Sequence, residues 1–369
     1  MNILTINVGS SSVRLVVYQW QAQTAHVLAK FHVAWPDDQT QEIDALLQQF
    51  LNRHGISEIA VIAHRVVHGG ERYHVACLID EELEQEISRL TILAPLHNPR
   101  ALSWIRSCRQ LLLDVAQVAV FDTAFFVNLP AVAKTYALPA AIRQAHHLRR
   151  YGFHGIAHQA MWRQWHTLHP ERSGKGRVIS LQLGSGCSIT AIKDGMPQDT
   201  SMGFSPLAGL VMATRCGDLD PGLILYLQRQ LAWSPEQVEQ LLSHQSGLLG
   251  LSGDTGDMRV LLASKAPEAA LAVDVFCYRI RQYIGAYLVV LGGVDGILFG
   301  GGIGENSALI RAKILTALQG FGIELDGAKN QVAHGNPACV SSPSSAVEVW
   351  VTPVDEAYAL AQEAYRLMT

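Results

Sequence analysis

The chain has 369 residues, 49 % of them apolar and 16 % charged, with a formal net charge of −4. That length leaves room for two domains and that composition for a sizeable core, so wholesale disorder is excluded. A net negative charge without a Lys/Arg run argues against nucleic acid as the main partner.

The first signal in chain order is ILTINVGSSSVRLVVY. Ile3 to Ile6 and Val13 to Val17 read as strands, and Gly9 with Ser10, Ser11 and Ser12 reads as the turn of a hairpin. QEIDALLQQFLNRHG reads as a helix ending at Gly55, and IAVIAHRVVHGG as a buried strand. A helix around EELEQEISRL, the loop APLHNPRA and a helix through SWIRSCRQLLL follow, then QVAVFDTAF as a strand leaving the core. After the loop SGKG (Ser173 to Gly176), VISLQLGSGCSITAI repeats the first hairpin: an apolar run, one polar residue (Asn7, Gln182), an apolar residue, Gly-Ser, then a β-branched run. The stretch YLVVLGGVDGILFGGGIG is broken by Asp295 and its glycines before the ~20 residues a bilayer requires. It reads as a helix end, a turn and a buried strand. A glycine-rich turn and a helix starting near Asn306 and Ser307 come next. This alternation is α/β layering, and a duplicated hairpin suggests two lobes facing a shared cleft.

Six cysteines (Cys77, Cys108, Cys187, Cys216, Cys277 and Cys339) form no CxxC pair, so reduced thiols are expected rather than a disulfide framework or a zinc ribbon. No charged-then-apolar leader stands at the N-terminus. The expectation is a cytoplasmic protein with no membrane partner.

Turns with little side-chain bulk bring backbone N–H groups and serine hydroxyls close to phosphate oxygens, and Arg14 adds a charged donor. The plainer alternative is a surface hairpin with Gly and Ser there only for the turn. The third glycine cluster, strand then glycines then helix, is a frequent nucleotide-binding arrangement, although it lacks the Gly-Lys-Ser/Thr ending of a P-loop. Together the three fit a nucleotide triphosphate.

The segments INVGSSS, HRVVHGG, LAPLHNP, VFDTAF, RRYGFHG, DTSMGFSPLAGL, TRCGDLDPG, SGLLGLSGDTGDMR, GIGEN and TPVDEA occur in one order across nearly the whole chain. In these the sequence resembles the acetate kinase family, within the superfamily of acetate and sugar kinases, chaperone ATPases and actin. The resemblance implies two RNase-H-like lobes, residues 1–122 with 357–369 and residues 123–356, with a nucleotide cleft between them. It also implies a homodimer and Mg²⁺-dependent transfer of a phosphoryl group from ATP to a short carboxylic acid, with Mn²⁺ as a substitute metal.

The same resemblance assigns roles. Arg65 and Arg215 contact the carboxylate and the transferring phosphoryl, His154 stabilises the transition state, and Asp122 orients an arginine or assists the metal. Val67, Leu96, Phe153 and Pro206 match the pocket for the acid's alkyl end, with His97 beside it; seen alone, each apolar residue is ordinary core. Ser10, Ser12 and Arg14 form one phosphate hairpin; Gln182, Leu183, Gly184, Ser185 and Gly186 form the other. Asp257, Met258 and Arg259 flank the adenosine together with Gly302, Ile303, Gly304, Glu305 and Asn306. Glu356 and Asn7 lie on the metal side. His154 and His158 are four residues apart, so a metal pair is the rival reading, weakened by the missing Glu of HExxH.

The chain departs from the family pattern in places. Gln182 and Ser185 stand where His and Asn are usual, Arg14 replaces Lys, and Phe126, Ala208 and Ala357 replace His, Glu and Glu. Gly300-Gly301 replaces Thr-Ala, and the chain is shorter between Val17 and Ile59. An active kinase is expected, with a weaker hold on the β-phosphate or a different phosphoryl donor. Propionate or another short acid is the alternative substrate. A nucleotide-binding regulator with reduced turnover is the alternative from a different class.

Overall fold

Alternating and β-branched apolar residues build the first sheet. Strands β1 (Asn2–Val8), β2 (Ser12–Gln21) and β3 (Thr24–Ala34) form an antiparallel meander, and β4 (Val61–Val66) and β6 (Ala116–Phe121) continue it in parallel. The short β5 (Cys77–Leu78) closes the edge, giving the order β3-β2-β1-β4-β6-β5. The computed structural model describes residues 1–9, 12–21, 24–34, 42–95 and 97–369.

The first of two units comprises Met1–Val127 and Asp355–Thr369. Leu4, Ile6, Val13, Leu15 and Val17 pack on one face against helix Ile43–Arg53 and helix Asn98–Leu111 through Leu47, Phe50, Trp104 and Cys108. Helix Ile43–Arg53 buries Ile43, Leu47 and Phe50, spaced at four and three residues as one helical stripe. It stops before Gly55, whose φ of +63° suits the residue that follows a helix end. The C-terminal helix Glu356–Met368 lies against β1, β2 and β4, and Trp20 stacks on its Tyr358 and Tyr365 with ring centroids 5.7 and 4.7 Å apart.

The second unit, Asn128–Val354, repeats the sheet plan. β7 (Arg177–Leu183), β8 (Cys187–Lys193) and β9 (Met196–Thr200) form an antiparallel meander. β10 (Gly296–Gly300) and β12 (Glu348–Val351) add in parallel, and β11 (Ala338–Cys339) closes the edge. The order β9-β8-β7-β10-β12-β11 matches the first sheet strand for strand. The short Gly-Ser repeat in the sequence is thus the visible remnant of a duplicated sheet, and the α/β class expected from the sequence is the one observed.

The apolar stretch divides as the sequence suggests. Helix Pro267–Leu291 ends at Gly292 with φ +64°, and Ile297, Leu298 and Phe299 of β10 are fully buried. Among the described residues, no helix is long and apolar enough to cross a membrane. One local reading changes. Gly301–Asn306 is itself a short helix rather than a turn, and Ser307 caps a second helix, Ala308–Leu315. Gly301 has φ +76°, and a Cβ there would lie 2.6 Å from the Leu183 carbonyl oxygen, so only glycine lets this helix start against β7.

Candidate functional site

In the first unit, parallel strands bring polar residues to their carboxyl ends, where open α/β sheets place chemistry. Arg65 is the penultimate residue of β4, and Asp122 directly follows β6. Arg65 donates Nε to Asp122 Oδ2 at 3.1 Å and Nη2 to the same oxygen, and donates Nη1 to Asn7 Oδ1 at 3.2 Å. Asn7, near the end of β1, donates Nδ2 to Glu356 Oε2 at 2.6 Å, and Glu356 opens the C-terminal helix. Burial acts to lower the Arg65 pKa, but Asp122 and Glu356 outweigh it and hold the guanidinium above its ordinary value. Two carboxylates thus bear on one guanidinium, and Asn7 links the second of them to it.

The first hairpin sits beside this group. Asn7 pairs with Arg14 across the β1–β2 ladder, which puts the two side chains on one face, and Arg14 is exposed. Gly9 donates its N–H to the Ser12 carbonyl at 2.8 Å, and Arg100 Nη1 donates to the Gly9 carbonyl at 2.9 Å. Arg100, from helix Asn98–Leu111, ties the turn down, and no local sequence signal marks it for that role. Ser10 and Leu96 lie outside the described residues. Val67 is buried, and His97 precedes helix Asn98–Leu111.

The second hairpin, between β7 and β8, carries Gly184 to Gly186, with Gly184 N–H donating to the Gly186 carbonyl at 3.1 Å. A Cβ added at Gly186 would lie 3.4 Å from His154 Nε2 and 3.7 Å from Arg215 Nη1. The missing side chain therefore leaves a gap faced by both residues. Arg215 Nη1 also donates to the Pro206 carbonyl at 3.2 Å, and Phe153 is buried next to His154 in sequence. Gln182 Oε1 is buried with no hydrogen-bond partner among the described residues. Phe153 and Pro206 belong to the second unit, Val67 and His97 to the first. His158 is engaged at both ring nitrogens, by Ser180 at 2.6 Å and Ser188 at 2.8 Å, so it has no nitrogen open for the metal-pair reading.

A cavity of ≈ 680 Å³ adjoins this hairpin, lined among others by Gly184, Ser185, Asp257, Met258, Arg259, Gly302, Ile303 and Asn306. Eight of the positions expected to bind nucleotide thus meet around one space. Asp257 accepts Arg259 Nε at 3.0 Å and Nη2 at 2.5 Å, and this pairing lowers its carboxyl to about 2. Gly304 and Glu305 are not among the lining residues: Glu305 Oε1 accepts the N–H groups of Gly301 and Val354, each at 3.0 Å, and so fixes the glycine helix. Arg311, which no motif singles out, is buried below it and donates to the carbonyls of Gly304 and Glu305 at 2.8 Å.

Comparison with known proteins agrees across the chain. The model of the acetokinase family matches residues 29–362. The chain is 44 % identical over 316 residues to the acetate kinase of Solibacter usitatus (strain Ellin6076), covering 84 % of this chain and 76 % of that one. The crystal structure of Porphyromonas gingivalis acetate kinase matches with a TM-score of 0.90 at 33 % identity, over 100 % of both chains. A propionate kinase from Francisella tularensis subsp. tularensis SCHU S4 matches at 0.88 and 34 % identity, over 98 % of both.

Proposed function

The chain belongs to the acetokinase family, and from that premise we propose how its residues carry out the reaction. The protein is an acetate kinase, which reversibly transfers the γ-phosphoryl group of ATP to acetate and yields acetyl phosphate and ADP. A carboxylate nucleophile titrates near ~4–5 and is already ionised at pH 7, so no general base is required. What the protein must supply is position and positive charge for two anions that meet.

The observation that carries the assignment of residues is the linked group Asp122–Arg65–Asn7–Glu356. In our reading Arg65, held charged and oriented by Asp122, takes the carboxylate of acetate. Arg215 and His154 stabilise the phosphoryl group, beside the backbone of Gly184 to Gly186. The cavity at Asp257 to Arg259 and Gly302 to Asn306 takes the adenosine. The oxygen donors of Glu356 and Asn7 suit a hard cation such as Mg²⁺, with Mn²⁺ as a substitute. When bound, the ion neutralises charge on the ATP phosphates.

Propionate is the second substrate we propose, supported by the likeness to a propionate kinase. One methylene changes binding by only about 1–3 kcal/mol. A homodimer is supported by helix Pro221–Gln230, which buries none of its residues and exposes Leu223, Leu225 and Tyr226. Six free cysteines support a reducing, cytoplasmic location.

The test is hydroxylamine trapping of acyl phosphate, with Mg²⁺, with acetate, propionate or butyrate, and with ATP or pyrophosphate. Hydroxamate from ATP and acetate is expected. Product only with pyrophosphate would move the donor and implicate Gln182 and Ser185. No product with any pair would replace the kinase by a nucleotide-binding regulator.

A further inference from the structure

The second unit contains a buried polar chain that phosphoryl transfer does not by itself require. Ser180 on β7 and Ser188 on β8 are both fully buried, as is His158 in the first turn of helix Gly155–Leu168. Ser180 Oγ lies 2.6 Å from His158 Nδ1, His158 Nε2 lies 2.8 Å from Ser188 Oγ, and Ser188 Oγ lies 2.8 Å from His154 Nδ1. His154 itself sits at the helix start with φ +59°, a left-handed conformation uncommon for a residue with a side chain.

Counting protons gives this chain a direction. Each hydroxyl has one proton to donate, and a neutral imidazole has one N–H and one acceptor nitrogen. Burial first, and then the neighbouring His154, push the His158 pKa well below its ordinary value, so His158 is neutral. If Ser180 donates to His158 Nδ1, His158 Nε2–H donates to Ser188, and Ser188 donates to His154 Nδ1. Three protons are then used within the chain, and the fourth, on His154 Nε2, faces the gap at Gly186 and not the buried interior. In the reverse direction the Ser180 proton is left without an acceptor among the described residues, and a buried unsatisfied hydroxyl is costly.

We propose that Ser188, His158 and Ser180 are positioning residues that lock His154 in the tautomer with its proton on Nε2, the nitrogen facing the gap at Gly186 beside Arg215. The inference rests on the reading of His154 as the residue that stabilises the phosphoryl group. The lock supplies a fixed N–H donor there, already oriented before charge develops. Near-attack geometry tolerates little misplacement, so a ring free to turn or change tautomer loses turnover more than binding.

The test combines kinetics with ¹⁵N NMR of histidine-labelled protein, the His154 signals being identified by their loss in His154→Asn. Wild type is expected to show an unprotonated Nδ1 and a protonated Nε2 on His154. Ser188→Ala is expected to mix the two tautomers and to lower kcat about tenfold or more, with KM for acetate and ATP within about threefold. Ser180→Ala keeps the Ser188 bridge and removes only the donor that sets its direction. It is expected to mix the tautomers with a smaller fall in kcat, and it guards against a Ser188 variant that fails to fold. A proton on Nδ1 in the wild type overturns the lock. Unchanged kcat in both serine variants overturns the positioning role. Turnover retained in His154→Asn, with the expected wild-type spectrum, overturns the catalytic reading of His154 and leaves the lock standing.

Discussion

Arg65 directs both Nε and Nη2 at a single oxygen of Asp122, which leaves Nη1 for Asn7. The two residues are 57 positions apart, and the parallel pairing of β4 with β6 brings their strand ends together. Arg65 and Asp122 side chains are only 10 % and 1 % exposed. A lysine has the charge but not the planar fork, so it cannot hold Asp122 and Asn7 together. Arg65→Lys is expected to lower kcat/KM for acetate at least about 100-fold, roughly 2.7 kcal/mol of transition-state stabilisation. Near wild-type hydroxamate formation in this variant would refute the role given to Arg65.

Gly186 gives a second test, in the other unit. An alanine methyl would stand 3.3 Å from His154 Cε1 and 3.7 Å from Arg215 Nη1. The backbone there is not left-handed, so the change adds no backbone strain, and the His154 ring must give by a few tenths of an ångström. Gly186→Ala is expected to reduce kcat/KM about tenfold or more, while the unfolding midpoint moves by less than about 4 °C. Full activity with a stable protein would mean that the gap beside His154 is not used.

Arg311 is a test of the glycine helix. Besides its bonds to Gly304 and Glu305, it donates to Asn330 Oδ1 and to the Asn330 carbonyl, both at 2.7 Å. Burial lowers its pKa to about 10, still well above neutral pH. Arg311→Leu strands several buried acceptors, each worth about 1–3 kcal/mol. A loss of about 3 kcal/mol or more is expected in urea unfolding. KM for ATP should rise several-fold, because Gly302, Ile303 and Asn306 line the cavity. An unchanged KM for ATP would separate this helix from nucleotide binding.

Stability should depend on pH through buried histidines. Burial pushes His64 down from 6.5 to about 4, despite its hydrogen bond with Gln117 at 2.7 Å, and pushes His68 down to about 4. Between those values the unfolded chain binds protons that the folded chain refuses, so stability falls as pH drops from about 6.5 toward 4 and is level above 6.5. The full shift amounts to roughly 3 kcal/mol per histidine. Urea midpoints at pH 7.5, 6 and 5 should decline in that order, and His64→Gln should flatten the decline. A midpoint constant over this range would rule the account out.

Much of the fold is legible in the residues alone. The hairpins and buried strands follow from apolar runs punctuated by Gly and Ser, which are local signals. The ordered motifs from INVGSSS to TPVDEA point to the family, and they single out most of the cavity lining. The Gly-Ser repeat hints at duplication, but only strand pairing shows two sheets of one plan.

The remainder is long-range. Asn7 and Glu356 are 349 residues apart, and Arg100 meets Gly9 across 91. No periodicity or cap rule reaches that far, so the ties holding the first hairpin and orienting Arg65 emerge only when the sheets assemble. The glycine run is the converse case. Glycine imposes almost no local preference, so whether Gly301–Asn306 becomes turn or helix depends on the approach of Gly301 to Leu183 and on Glu305 and Arg311 around it. Strands, family and the chemistry on offer are therefore written in the order of the residues, where neighbours in the chain suffice. Which donor meets which acceptor is settled by packing between strands distant in the chain, because a hydrogen bond depends on a geometry that only assembly creates.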